Sequence, residues 1–313
     1  MAEPSRRIQH LVEDLPCRLR PRAKSLLMTI WGDMIAPHGG AVWLGSLIRL
    51  AAPLGLNERL VRTGVHRLVR DGWLTSTQIG RRSYYSVTEF GRRGMQDDAH
   101  RRIYAAARAP WNGNWQLVLT GLGAIDAPTR ERLKRELRWL GYSVVAPGVF
   151  AHPGADAEAL GRLLARLDVA DRVQVMNAAA VGDHDLLRAS WDLDGLAAAY
   201  RRFLDHFRPV WQALEAAPRL DPRHCFIVRL MLIHEFRRVI LRDPELPDEL
   251  LPADWAGAAA RALCRNLYRL TVPASERHLM ATLETAEGPL PEAAPYFYRR
   301  FGGLPGAPMS LAG

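Results

Sequence analysis

Apolar positions in the first ninety residues alternate between helical and strand spacing. From Arg22 to Ala36 (RAKSLLMTIWGDMIA) they recur at helical spacing and stop at Pro37-His38-Gly39-Gly40, which predicts a helix and its break. A short strand, Ala41–Leu44, leads into a second helix, Gly45–Ala52, closed by Pro53-Leu54-Gly55-Leu56. Asn57 offers a side-chain cap to a third helix, Glu58–Arg70, which ends at Asp71-Gly72. Two strands follow, Trp73–Ile79 and Ser83–Val87, joined by the tight turn Gly80-Arg81-Arg82. Thr88 then stands where a cap would begin a connector helix over 89–110.

The third helix has two unlike faces. At about 100° per residue, Val61, Gly64, Val65 and Leu68 gather on one side. Arg59, Arg62, Thr63, His66 and Arg70 gather on the other. A helix that enters a DNA major groove needs this split: an apolar back seated on its own domain and long donors forward. Glu58 can cap the helix start or accept from a cytosine amine. Arg81 and Arg82 crown the hairpin tip, where a wing reaches backbone or minor groove. The order of elements over residues 20–88 is that of a winged helix-turn-helix.

Charge sharpens this picture. The chain has 313 residues and a net charge of +9, of which residues 1–110 hold 18 basic against 9 acidic side chains, while residues 111–313 hold 24 of each. The whole excess lies beside the proposed reader, as contact with a polyanion requires. Composition is otherwise that of an ordinary globular chain, with 48% hydrophobic and 24% charged residues. No apolar run suggests a membrane span, and MAEPSRRIQHLVEDLP is too charged for an export signal, so a cytoplasmic protein is expected. Cys17, Cys225 and Cys264 are scattered and odd in number, which reads as free thiols without a metal site.

A new pattern opens near Trp111. Strand Trp115–Thr120, helix Pro128–Leu140, strands Ser143–Val145 and Val149–His152, helix Ala155–Leu167 and strand Arg172–Met176 give the order βαββαβ. That order predicts a ferredoxin-like domain over 111–181. Gly121-Leu-Gly123 after the first strand lacks the third glycine of a dinucleotide loop, so no cofactor is expected. Helical spacing resumes over 182–271, with helices at Asp194–Ala217, Pro222–Arg242 and Gly257–Leu270. His234-Glu235 begins a zinc-protease-like motif, but Arg238 stands where the second imidazole would ligate, which removes hydrolase chemistry. No catalytic residue and no metal ligand is therefore assigned. The tail, 272–313, is rich in Pro, Gly and Ala apart from a possible helix at Ser275–Ala286, and is expected to be partly disordered. The fold class is α+β: winged helix-turn-helix, central ferredoxin-like domain, helical C-terminal domain.

Three stretches carry a family resemblance: GVHRLVRDGWL (Gly64–Leu74), YAA…WNGNWQLVL (Tyr104–Leu119), and LIHEFRRVILRDPELPDELLPADWAG (Leu232–Gly257). With these the chain resembles the phenylacetic-acid catabolon repressors of the PaaX type, over about residues 22–270. The resemblance implies a Cas2-like central domain and a homodimeric repressor that binds double-stranded operator DNA. It also implies release by an aryl-acetyl-CoA, typically phenylacetyl-CoA. The strand that would present a Cas2-type metal aspartate reads WQLVLTG and has none; Asp126 lies beyond it. A thioester of CoA calls for arginines at its phosphates and aromatics at its acyl group, and Arg201, Arg237, Arg238, Trp191, Tyr200 and Trp255 supply both. Two other readings stay open: a nucleic-acid-processing protein using the Cas2-like domain, and a regulator of the same family answering a different ligand.

Overall fold

Two helices precede the first element predicted above: α1, Glu3–Glu13, and α2, Leu15–Leu19, which the sequence pattern did not reveal. Val12 and Leu15 are their buried contacts. The computed structural model describes residues 3–96, 98–105, 111–179 and 185–304. Helix α3, Ala23–Ile30, continues into a π turn over Trp31–Ile35, and Leu26, Leu27, Ile30, Trp31, Met34 and Ile35 are all buried along it. The π turn departs from the regular helix expected as far as Ala36. It also accompanies the burial of one charged residue, Asp33, which is 1% exposed.

The reader then follows in the predicted order. Strand β1, Ala41–Trp43, leads to α4, Leu44–Ala51, and α5, Glu58–Arg70, after which β2, Leu74–Ile79, and β3, Arg82–Val87, form the hairpin. The sheet order is β1-β3-β2, all antiparallel, with Trp43 opposite Tyr84 and Ile79 opposite Arg82. Gly80 takes a positive φ of 59° in the two-residue turn, which a side chain would resist. Thr88 caps the next helix by accepting from Gly91 N at 2.9 Å. The connector expected over 89–110 is helical at α6, Glu89–Gln96, and at α7, Asp98–Tyr104; residue 97 and the stretch beyond residue 105 lie outside the described residues.

The central sheet contains β4, Asn114–Leu119, β5, Ser143–Ala146, β6, Val149–His152, and β7, Gln174–Ala179, with helices α8, Ala127–Trp139, and α9, Ala157–Arg166, between them. Its order, β5-β6-β4-β7, is antiparallel throughout, the ferredoxin-like arrangement. Asp126 and Asp156 cap the two helices through backbone N–H groups. Strand alternation splits β4 between two cores. Val118 joins Phe150, Leu133, Leu137, Leu160 and Leu163 under the helices, whereas Trp115 packs on the opposite face with Leu246 and Leu250.

After α10, Asp185–Arg188, come α11, Leu193–Glu215, α12, Pro222–Ile240, and α13, Ala256–Thr282. A small hairpin follows, β8, Glu284–Thr285, and β9, Gly288–Pro289, and then α14, Pro295–Tyr298. Much of the tail, as far as residue 304, is therefore built structure, including a helix over the segment where one was expected. Helix α13 runs past Pro273 to Thr282, and Phe297, Arg300 and Phe301 are buried; residues 305–313 lie outside the described residues. Apolar side chains spaced between the prolines give this segment enough to bury, which composition alone conceals.

Compactness divides the chain differently from the linear order of domains read from sequence. One unit comprises Met1–Ala106, Arg202–Arg238 and Ala258–Gly313; the other comprises Ala107–Arg201 and Val239–Gly257. The 182–271 stretch is thus shared between units. In the first unit, Asp33 is the centre of a buried polar cluster. It accepts from Arg229 Nε at 2.8 Å, Arg300 Nη1 at 2.9 Å, Tyr268 at 2.8 Å and Tyr104. Arg229 also pairs with Glu276, which in turn meets His38 Nε2 at 2.9 Å. Burial raises the Glu276 carboxyl, but Arg229 and His38 outweigh it and hold the pKa at about 2.

Candidate nucleic-acid interface

Helix α5 begins where its cap dictates: Asn57 Oδ1 accepts from Leu60 N at 2.9 Å. Its back is fully seated, with Val61, Gly64, Val65 and Leu68 buried. Gly64 sets how closely it sits on α3, because a Cβ there would come within 2.4 Å of Leu27 Cδ1. The front is open. Arg59, Arg62, Thr63, His66 and Arg70 are all exposed, and Arg67, which the sequence stripe omitted, stands exposed one turn beyond Thr63. The i, i+4 spacing from Thr63 would have found it.

Two of these arginines have local carboxylate partners. Arg62 pairs with Glu58 at 2.7 Å, both being more than half exposed. Such surface pairs are worth about 0.3–0.5 kcal/mol, so a nucleic-acid acceptor can take over the guanidinium at little cost. Arg70 lies 3.5 Å from Asp71, whose carboxyl is bonded mainly by Lys24 and held below the usual carboxylate range. Lys24 is on α3, so this bridge ties the end of α5 to the helix behind it.

The wing treats its two tip arginines differently. Arg81 is exposed at the turn. Arg82 instead folds back with its guanidinium 4.2 Å above the Trp43 ring and 3.3 Å from Glu284. Arg49 of α4 approaches the same ring and bonds the same carboxylate at 2.6 Å. The pair expected to project together is therefore split by a cation–π contact. Replacing Arg81 with alanine should flatten the slope of log affinity against log salt by about 0.9, the share of one phosphate contact. An unchanged slope in that variant would place the wing tip away from the backbone.

The six side chains expected to meet an effector are divided between the two units. Arg237 and Arg238 belong to the first unit, and Arg201, Trp191, Tyr200 and Trp255 to the second. Tyr200 and Trp255 meet edge to face at 5.8 Å. Tyr200 is fully buried and donates its hydroxyl to Asp243. Trp191 donates to Gly141 O at 2.9 Å and lies beside Trp115. Tyr200 is thus a core ring, whereas Trp191 and Trp255 are partly buried. Arg201 is exposed, and Arg238 pairs with Glu235 at 2.9 Å. Arg237 is partly buried and bonds Thr29 Oγ1 at 3.4 Å.

Among the described residues no helix is long and apolar enough to cross a membrane. Comparison with known proteins matches three consecutive regions: the PaaX-like protein domain at 22–91, the PaaX protein central Cas2-like domain at 108–189, and the PaaX-like protein C-terminal domain at 191–281. The chain is similar to the transcriptional repressor PaaX of Escherichia coli (strain K12), 40% identical over 304 residues, 95% of this chain and 94% of that protein. A solved structure, the uncharacterized protein Rv0674 from Mycobacterium tuberculosis, shares 29% identity over 74% of this chain and 88% of that one, with a TM-score of 0.47. With all three regions present in order and this identity over nearly its whole length, the chain belongs to the PaaX-like protein family.

Proposed function

We propose that this protein is a cytoplasmic transcriptional repressor, not an enzyme, that binds double-stranded operator DNA as a homodimer through α5. The observation that carries this reading is the division of α5 into a seated apolar back and a front of exposed donors, Arg59, Arg62, Thr63, His66 and Arg70. Arginine offers bidentate donors to guanine O6 and N7, so the helix has the chemistry to select sequence as well as to meet phosphate. Replacing Arg62 with alanine should cost about 1–3 kcal/mol of operator affinity and relax the preference at one base pair. Equal affinity of the variant and the parent in a fluorescence-anisotropy titration would remove α5 from the groove. Cleavage of the duplex with Mg²⁺ would favour the nucleic-acid-processing reading instead.

Release by an aryl-acetyl-CoA such as phenylacetyl-CoA is the second part of the proposal, supported by the family's resemblance. Effector and operator are then linked, and each must weaken the other by the same factor, typically 5–150-fold, or about 1–3 kcal/mol. Calorimetric titration of phenylacetyl-CoA with and without operator measures that factor. Equal affinities in the two titrations would dismiss the release mechanism even for a tightly bound ligand.

A further inference from the structure

Trp43, the last residue of β1, is the meeting point of two cations and one anion within the first unit. The guanidinium groups of Arg49 on α4 and Arg82 on β3 stand 5.0 and 4.2 Å from the centre of its ring. Glu284, on β8, answers both with one oxygen each: Oε1 accepts from Arg49 at 2.6 Å and Oε2 from Arg82 at 3.3 Å. Arg49 also reaches Thr282 O at 3.5 Å. Both arginines are about half exposed, and Glu284 is 39% exposed. Two positive charges thus share one negative charge at the surface of the reader, and that negative charge comes from outside it.

We infer that Arg49 and Arg82 form a receptor for a backbone phosphate of the DNA duplex, which Glu284 occupies in the free protein as an internal stand-in. The inference rests on the proposed binding of DNA through α5 and adds a contact outside that helix. A phosphodiester offers two non-bridging oxygens, so it can replace the two carboxylate oxygens, one for each guanidinium. The position fits. In a helix-turn-helix the helix before the recognition helix crosses the sugar–phosphate backbone, and α4 is that helix. The second arginine comes from the wing. A free phosphate ion shares this chemistry, and competition separates it from the duplex.

Displacing the carboxylate leaves the rest of the site in place. Glu284 N donates to Ser46 Oγ at 3.1 Å, and Ser46 Oγ donates to Trp43 O at 2.8 Å. Ser46 is fully buried, so the backbone of β8 is fastened to the start of α4 independently of the Glu284 side chain. The attraction of the indole for both cations is likewise independent of the carboxylate. What breaks is two exposed ion pairs, each worth little in water. What forms is a contact with a dense polyanion, whose condensed counterions are released as a guanidinium takes their place. The duplex therefore wins the exchange, and Glu284 lowers affinity by the same factor for every sequence, because a phosphate carries no base identity.

The test is fluorescence anisotropy on the full chain with operator and a scrambled duplex of equal length, over a range of salt. The parent is compared with Glu284→Gln, Arg49→Ala and the double variant. Glutamine keeps the bulk and the backbone bond to Ser46 but removes the competing charge. Glu284→Gln should tighten both duplexes by one common factor, about two- to thirtyfold, as the loss of two exposed ion pairs allows. Arg49→Ala should weaken both and flatten the salt slope by about 0.9. Its cost should be larger in the Glu284→Gln background, where no pair has to break first. Weaker binding by Glu284→Gln would make the carboxylate a brace for the arginines and overturn the inference. So would an equal cost of Arg49→Ala in the two backgrounds, or a tightening confined to the operator. Inorganic phosphate should compete no better than chloride at matched ionic strength; stronger competition that disappears in Arg49→Ala would assign the site to a free anion and overturn the duplex assignment. Unchanged affinities and slopes in all three variants, with Arg62→Ala still losing operator affinity, overturn this site and leave the α5 reading standing. A parent that binds neither duplex overturns both. Should Arg49→Ala fail to fold, Arg49→Gln carries the comparison.

Discussion

Asp33→Asn is expected to lower the unfolding free energy by about 3–5 kcal/mol, the cost of stripping one partner from a buried ionic cluster. The side chain is 1% exposed and accepts from Arg229, Arg300, Tyr104 and Tyr268. An amide has one oxygen to offer four donors, and its own N–H₂ group would face guanidinium groups. Arg229 keeps Glu276, so the charge left unmatched is chiefly that of Arg300, which is 1% exposed. Adding Arg300→Met to Asp33→Asn should therefore recover part of the loss, because the stranded charge goes with it. Urea unfolding reads both effects. A single-variant loss below about 1 kcal/mol would mean that the cluster contributes little to stability.

Acid should destabilise the protein between about pH 6.5 and 4, through two histidines. Burial lowers His100 and His234 from the ordinary value to about 4, and nearby cations assist: Arg300 for the first, Arg237 and Arg238 for the second. His100 Nε2 accepts from Arg300 Nε at 3.2 Å, a bond that exists only while that nitrogen carries no proton. The sign follows from proton uptake. Below pH 6.5 the unfolded chain binds protons that the native state refuses, so stability is complete above 6.5 and falls as pH approaches 4. The effect is on the order of 3 kcal/mol for buried His234 and less for the more accessible His100. Glu276, held at about 2, extends the decline between pH 4.5 and 2. A Tm that stays level from pH 7 to 4 would contradict this, and His234→Gln should visibly flatten the profile.

Where sequence and structure agree, the signals are local. Asn57 three residues before Leu60, glycine in the hairpin turn and an apolar stripe at helical period bracket α5 and the wing with little help from elsewhere. The central βαββαβ order is similarly written in short alternating segments. The Asp33 cluster is not, because its partners lie 196 and 267 residues away and no spacing rule links them. One aspartate in an apolar stretch, WGDMI, was the available sign, since a charge there must find a partner or ruin the core. The surroundings of the effector candidates were hidden for a related reason. Aromatic residues at helical spacing signal burial, not the side from which a ligand enters, and only the structure separates Arg237, which lacks a carboxylate, from Arg238, which has Glu235.

The hydrogen bond between Ala294 N and Pro37 O, the bond from Arg49 to Glu284 and the insertion of Arg300 beneath Asp33 all fasten the reader to residues made late in synthesis. At a ribosomal pace of about 5–20 residues per second, the 267 residues between Asp33 and Arg300 take roughly 13–53 s to appear. For the first 196 of those residues the nascent chain holds Asp33 with neither arginine made to meet it. A polypeptide interrupted before Arg300 would carry every exposed arginine of α5 and still lack the buried bond from Arg300 to Asp33.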